Sequence, residues 1–262
     1  MKTRLYSLLL LTLIVCASCK NPWYAKIVGP LIKDEKEDSS YPEILREYLT
    51  WTVNGTAPNQ YITIDSYIGP TPMGNVAIPA SIDGIPVTAI ADSTPGVFQN
   101  KGLTGITIPN SVTYIGENVF YGNQLTSVTI PNSVTYIGAF AFRSNKLTSV
   151  TIPTSVNAIR ERTFADNQLT SVTIGNSVSY IDFYALSGNQ LTSVTIPASV
   201  SDIYLYAFSG NQLTSITFMG SYTMLAYPIT DNLCDLDSVY GIGGAGTYTR
   251  THYLDTNWLG PY

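Results

Sequence analysis

The stretch LTSVTIPNSVTYIGAFAFRSNK, Leu125 to Lys146, decides the fold, because it returns slightly altered every 22 residues. Leu103, Leu125, Leu147, Leu169, Leu191 and Leu213 all open the phrase LTSVTI or a near variant of it. A fixed period of this length marks a stacked repeat array. One unit is too small to bury its own apolar side, so neighbouring units must share a continuous core. The expectation is a solenoid.

Within one unit, Leu125, Val128 and Ile130 follow an L-x-x-L-x-L spacing, and the Val128/Ile130 alternation has the period of a strand. Val134 and Ile137 mark a second apolar segment, and Phe142 a third, just before the polar Ser144-Asn145-Lys146 turn. Phe120, Phe142, Phe164, Leu186 and Phe208 recur at one position and are expected to stack as a column inside the coil. Asn123, Asn145, Asn167, Asn189 and Asn211 form a second column. A side-chain amide there supplies both a donor and an acceptor to backbone groups that a strand ladder cannot reach. Pro109, Pro131, Pro153 and Pro197 close the first strand, where a residue without an N–H can end a ladder, and Gly175 takes that place once.

The phrase L-T-S-V-T-I-P-x-S-V-x-x-I, followed by A-F and a short polar turn, resembles the BspA-like leucine-rich repeats, a type also described from treponemes. The likeness runs from about Met73 to Phe218 and recurs in register. It departs from the usual form in carrying Asn-Gln or Asn-Lys where Cys is common. The resemblance implies an α/β-type repeat protein that is mostly β: a curved leucine-rich-repeat solenoid with a parallel sheet, 22-residue units and caps at both ends. It further implies a bacterial surface protein of adhesion type that binds host proteins, and a family that is not enzymatic.

Taken in order, residues 1–18 read as a signal peptide: Lys2 and Arg4 give a positive start, and Leu8 to Val15 is apolar but too short to span a bilayer. Cys16-Ala17-Ser18-Cys19 resembles a bacterial lipoprotein cleavage site, with Cys19 as the lipidated residue. Cys16 stands where that site usually has Leu, and ordinary signal cleavage is the alternative. Residues 19–49 read as a lipidated N-terminus and flexible tether, charged from Lys33 to Asp38, with a short helical turn between Pro42 and Leu49. Residues 50–102 hold an N-terminal cap hairpin and an atypical first repeat of 30 residues, with a turn at Asp83-Gly84. Residues 103–218 are the regular repeats. Residues 219–262 hold a degenerate repeat and a C-terminal cap, with strands at Ala245–Arg250 and Asn257–Leu259. The Gly-Thr-Tyr-Thr-Arg phrase there also resembles the closing tail of treponemal members of the family.

Several familiar chemistries do not assemble from this sequence. Gly241-Ile-Gly243-Gly-Ala-Gly246 spells G-x-G-x-x-G, but Thr-Tyr-Thr follows where a dinucleotide site needs a helix and a βαβ unit. Asp231, Asp235 and Asp237 lack the spacing and closing Glu of a calcium loop. His252 is the sole histidine, with no second ligand beside it, so neither a transition-metal site nor a His-based nucleophile system is expected. No cofactor, metal or catalytic residue is assigned. Cys234 has no partner once Cys16 leaves with the signal and Cys19 carries lipid. Net charge is −5, with no basic cluster in the repeats, so nucleic acid is not an expected partner.

What remains is surface. Charged residues are 12% of the chain, about half the usual share, so the coil must be covered largely by Thr, Ser, Asn and Tyr. If Leu125, Val128 and Ile130 point inward, their neighbours point outward. Stacking then lines Ser127, Ser149, Ser171 and Ser193 into one row and Thr107, Thr129, Thr151, Thr173 and Thr195 into the next. A broken row of Tyr114, Tyr136 and Tyr180 lies elsewhere on the coil. The Ser/Thr rows are the candidate binding face, suited to a protein or glycan ligand at the cell surface, with the membrane engaged only through the N-terminal lipid. A structural envelope protein without a specific ligand, or a binder of an ordered surface such as ice or polysaccharide, are the alternatives. Ser and Thr also simply suit an exposed strand.

Overall fold

The inward columns set the geometry. The computed structural model describes residues 42–71, 74–220 and the strand Gly246–Thr249. Leu103, Leu125, Leu147, Leu169, Leu191 and Leu213 are all essentially without solvent contact, as are Val112, Val134, Val156 and Val178. Phe98, Phe120, Phe142 and Phe164 stack along the axis, with successive ring centroids 5.8, 5.1 and 5.4 Å apart and interplanar angles of 7, 23 and 3°. Tyr67 from the cap closes the near end, 5.9 Å from Phe98. Leu186 and Phe208 continue the column at the far end, both buried. Offset-stacked rings at these spacings gain contact beyond the area they hide.

The asparagine column does what its position demands. Asn145 Nδ2 donates to the Phe120 and Phe142 carbonyls, at 2.9 and 3.1 Å, while its Oδ1 accepts from the Leu125 N–H at 3.1 Å. Asn123, Asn167, Asn189 and Asn211 repeat this arrangement one turn earlier or later. Each amide thus ties its own turn to the preceding one where no strand pairing reaches.

Two backbone ladders run along the coil. The first carries the LTSVTI phrase, but it is interrupted. Gly74–Ala77 pairs in parallel with Leu103–Thr107, Ser149–Thr151 with Ser171–Thr173, and Ser193–Ile196 with Ser215–Phe218. Leu125 to Ile130, the turn whose pattern reads as a strand, forms none, and Val128 is half-buried there. Bonds to the next turn remain there: Lys146 and Thr148 donate to the Leu125 and Thr126 carbonyls, and Leu125 donates to Asn145 Oδ1. The packed columns and the asparagine bonds hold the turn in register regardless.

The second ladder is more regular in its phasing than the sequence indicates. It joins Tyr61–Tyr67 to Ile85–Ile90, then Tyr114–Ile115 and Tyr136–Ile137, all in parallel. Ala158–Ile159, Tyr180–Ile181 and Asp202–Ile203 extend the same phase. A further set of bonds runs the other way: Phe120, Phe142 and Phe164 donate their N–H groups to Ala141, Thr163 and Ala185 in the next turn. Ahead of these bonds, Asn118, Phe140, Arg162, Tyr184 and Tyr206 all adopt left-handed backbone, with φ between 48 and 61°.

Antiparallel pairing marks both ends. Leu49–Asn54 pairs antiparallel with Tyr61–Tyr67, the expected hairpin. Asp83 and Gly84, at φ 55 and 80°, form the two-residue turn that pairs Ile82 with Ile85, as expected for the atypical repeat. A single 3-10 turn, Arg46–Tyr48, is the helical turn foreseen near Pro42, and the described residues contain no α-helix. Pro42 to Leu49 is docked rather than free: Ala77 donates to the Pro42 carbonyl, Ile44 donates to that of Ala77, and Ile44 and Leu49 are buried. A tether reaching to residue 49 therefore includes residues that belong to the cap, because their apolar side chains cover the first turn. At the other end Gly246–Thr249 pairs antiparallel with Ser215–Phe218. Gly246 thus opens a strand, where a dinucleotide loop would open a helix. The signal peptide, Cys19, the charged tether, Asp231, Asp235, Asp237, Cys234, His252 and Asn257–Leu259 lie outside the described residues.

Candidate binding surfaces

The Ser/Thr face is built as the alternation requires. Val150 and Ile152 are buried while Ser149 and Thr151 are exposed, and Val194 and Ile196 are buried while Ser193 and Thr195 are exposed. Ser127, Thr129, Ser171 and Thr173 are likewise exposed, and Thr107 is half-buried. Parallel pairing sets Ser149 beside Ser171 and Thr151 beside Thr173. None of these eight exposed hydroxyls is spent on a hydrogen bond to another described residue, whereas Thr170 and Thr214, one row away, donate to the Thr148 and Thr192 carbonyls.

The tyrosine row belongs to the second ladder and is a more differentiated surface. Register sets Thr63 beside Ala89, Ala89 beside Tyr114, and Tyr114 beside Tyr136. The Tyr114 and Tyr136 rings stack 4.4 Å apart and 6° from parallel. Arg160 lays its guanidinium over Tyr136, 3.9 Å from the ring centroid. The sequence presents Arg160, Glu161 and Arg162 as a charged patch. In the structure Arg162 pairs with Glu161 at 2.7 Å and covers the Tyr184 ring at 4.5 Å, so both arginines are engaged within the protein.

Beyond Tyr114, on the side away from Tyr136, the surface opens into a shallow cleft of about 650 Å³. Tyr61, Thr63, Thr88, Asp92, Thr113 and Tyr114 line it, together with Ala89 and Ala91. Asp92 Oδ2 accepts from the Tyr114 hydroxyl at 2.6 Å, and Oδ1 accepts from the Glu117 N–H at 2.7 Å. Burial pushes the Tyr114 hydroxyl pKa well up, and the bond to Asp92 and that carboxylate's charge push it further. Sequence reading missed Asp92 and Tyr61, because both lie in the cap and the atypical repeat, where no recurring position singles them out. Among the described residues, no group of three His, Cys, Asp or Glu side chains could hold a metal ion, and no helix is long and apolar enough to cross a membrane.

Stacked 22-residue turns around leucine, valine and phenylalanine columns, tied by an asparagine ladder, define a leucine-rich-repeat solenoid. Residues 88–214 match the family model of the BspA type leucine rich repeat region in six copies. This part of the chain is a BspA-type leucine-rich repeat region. Among solved structures, the chain is similar to a leucine rich cell surface protein from Faecalibacterium prausnitzii, at 26% identity and a TM-score of 0.48, over 71% of this chain and 57% of that one. It is also similar to a leucine-rich repeat protein from Bacteroides ovatus, at 20% identity and a TM-score of 0.49, over 74% of this chain and 58% of the other. A leucine rich repeat protein from T. pallidum aligns at 21% identity and a TM-score of 0.31, over 54% of this chain and 85% of that one. The chain therefore spans less than two thirds of the first two. No curated protein matches it.

Proposed function

We propose that this chain is a bacterial cell-surface lipoprotein, anchored through Cys19, whose solenoid binds macromolecules of a host or neighbouring cell through the Ser/Thr face. One observation carries the reading: Ser127, Ser149, Ser171, Ser193, Thr129, Thr151, Thr173 and Thr195 are all exposed, and their hydroxyls are not committed to bonds with described residues. A surface held rigid from below and left unsatisfied above suits recognition by neutral hydrogen bonds and apolar packing. Preorganisation of this kind lowers the entropic cost of association. Binding rather than catalysis also agrees with the repeat family. The anchoring half of the proposal rests on the positive start, the short apolar stretch and the Cys19 site in the sequence.

The test is binding of the full chain to an immobilised panel of extracellular-matrix proteins, against the variant with Thr129, Thr151 and Thr173 all replaced by Arg. The expected result is capture by at least one matrix protein and its loss in the variant, with an unchanged circular dichroism spectrum. A folded variant that binds undiminished overturns the assignment of this face.

A further inference from the structure

We infer that the cleft beside Tyr114 is a binding site for an arginine side chain presented by a partner protein. It lies on the second ladder and is independent of the Ser/Thr face. The coil shows one feature twice. Along the row Thr63, Ala89, Tyr114, Tyr136, Ala158 and Tyr180, an alanine stands at each end of the Tyr114–Tyr136 pair, Ala89 before it and Ala158 after it. Beside Ala158 the space over the neighbouring ring is taken by the chain's own Arg160, lying 3.9 Å from the Tyr136 centroid. Beside Ala89 the space is open and forms the cleft of about 650 Å³.

The stacked pair Tyr114–Tyr136 is therefore capped by a guanidinium on one outer face and uncovered on the other. Tyr61, 42% exposed, provides a second ring at the open end. What distinguishes the open end is Asp92. Each of its oxygens accepts one bond within the protein, which leaves lone pairs on both for a further donor. The residues lining the cleft include this carboxylate and no cation, on a chain of net charge −5. An aromatic face with a carboxylate at its edge matches a planar, charged, multi-donor group, which stacks and forms charge-assisted bonds at once. A neutral sugar would use the rings and leave the negative charge unanswered.

The test uses acetyl-Gly-Arg-Gly-amide titrated into the labelled full chain, followed by amide chemical shifts at Ala89, Asp92 and Tyr114. The same peptide with citrulline in place of arginine is the uncharged control, and cellotriose the sugar control. Saturable shifts confined to the cleft are expected with the arginine peptide. Citrulline, or Asp92→Asn, should weaken binding about tenfold, the scale of one charge-assisted hydrogen bond. Ala89→Arg, which fills the notch from within with the chain's own guanidinium, should abolish it with the spectrum otherwise preserved. Equal binding of the citrulline peptide, tighter binding of cellotriose, or no shifts at the arginine peptide's solubility limit would each overturn the inference.

Discussion

The Asn145 side chain donates to the carbonyl oxygen of Phe120, 25 residues earlier, at 2.9 Å. The same amide accepts the Leu125 N–H, so one side chain satisfies backbone groups that open to each other but cannot pair directly. Replacing Asn145 by Leu keeps the volume and orphans these groups. Each buried backbone group left unsatisfied costs about 1–3 kcal/mol. Asn145→Leu should therefore lower the urea midpoint clearly, whereas Gln124→Ala, on an exposed neighbour, should leave it nearly unchanged. Equal midpoints for the two variants would remove the ladder's structural role.

The aromatic column yields a graded prediction. Phe142 is fully buried between Phe120 and Phe164, so Phe142→Ala should cost about 3–5 kcal/mol in denaturant unfolding. Phe142→Leu should cost much less, because Leu186 already occupies the equivalent place in another turn. Tyr136→Ala should fall between Phe142→Ala and an exposed control, since its half-buried ring is held between Tyr114 and Arg160.

Close approach between turns gives a third. A Cβ on Gly138 would lie 2.5 Å from the Glu117 nitrogen and 2.6 Å from the Gly116 carbonyl carbon, both backbone atoms that cannot swing aside. Gly138→Ala should then destabilise by about 1–3 kcal/mol, the usual cost of overpacking, although alanine ordinarily stiffens the unfolded chain to advantage. Thermal unfolding that shows a stabilised variant would mean the turns can separate there.

These cases show how the sequence was readable and where it was not. The phenylalanine and asparagine columns were legible because each recurs as one residue type at one place in the period. The left-handed column was not: Asn118, Phe140, Arg162, Tyr184 and Tyr206 mix an amide, a guanidinium and three aromatic rings, and the turn geometry imposes φ on whatever residue stands there. The gap in strand pairing at Leu125 to Ile130 was equally hidden, since that unit spells the repeat more faithfully than most. Ser/Thr exposure followed from strand alternation alone. The Asp92 cleft depends on Ala89 and Tyr61, departures from the period whose adjacency exists only after the cap has folded onto the first turns.

Proton linkage at Tyr114 offers a fourth measurement. Its pKa is raised in the folded chain, so the folded state holds the phenol proton more tightly than the unfolded state does. Its contribution is fully present below the ordinary tyrosine pKa of about 10, and is lost as pH rises above that value. The unmodified protein should therefore lose stability relative to Tyr114→Phe from about pH 10 upward, and not between pH 7 and 9. Parallel stability profiles for the two proteins across the whole range would contradict the bond to Asp92.

Salt separates the two proposed surfaces from one another. The Ser/Thr face carries no charge, so macromolecular binding there should change little with ionic strength. Screening acts over roughly 8–10 Å at physiological salt and bears on charges, not on neutral hydroxyl contacts. Arginine-peptide binding beside Asp92 engages a carboxylate in a shallow, open cleft, and should weaken steadily as salt is raised. The Arg160–Glu161–Arg162 segment is not expected to confuse the result, because Arg160 is stacked on Tyr136 and Arg162 is paired with Glu161. Measuring both ligands on the full chain across a salt series, with Asp92→Asn and the Thr129/Thr151/Thr173 arginine variant alongside, gives a two-by-two outcome. The expected pattern is that each variant loses one ligand only, and that salt affects the peptide alone. Loss of the macromolecular ligand in Asp92→Asn, with strong salt dependence, would move the principal binding surface from the hydroxyl rows to the cleft.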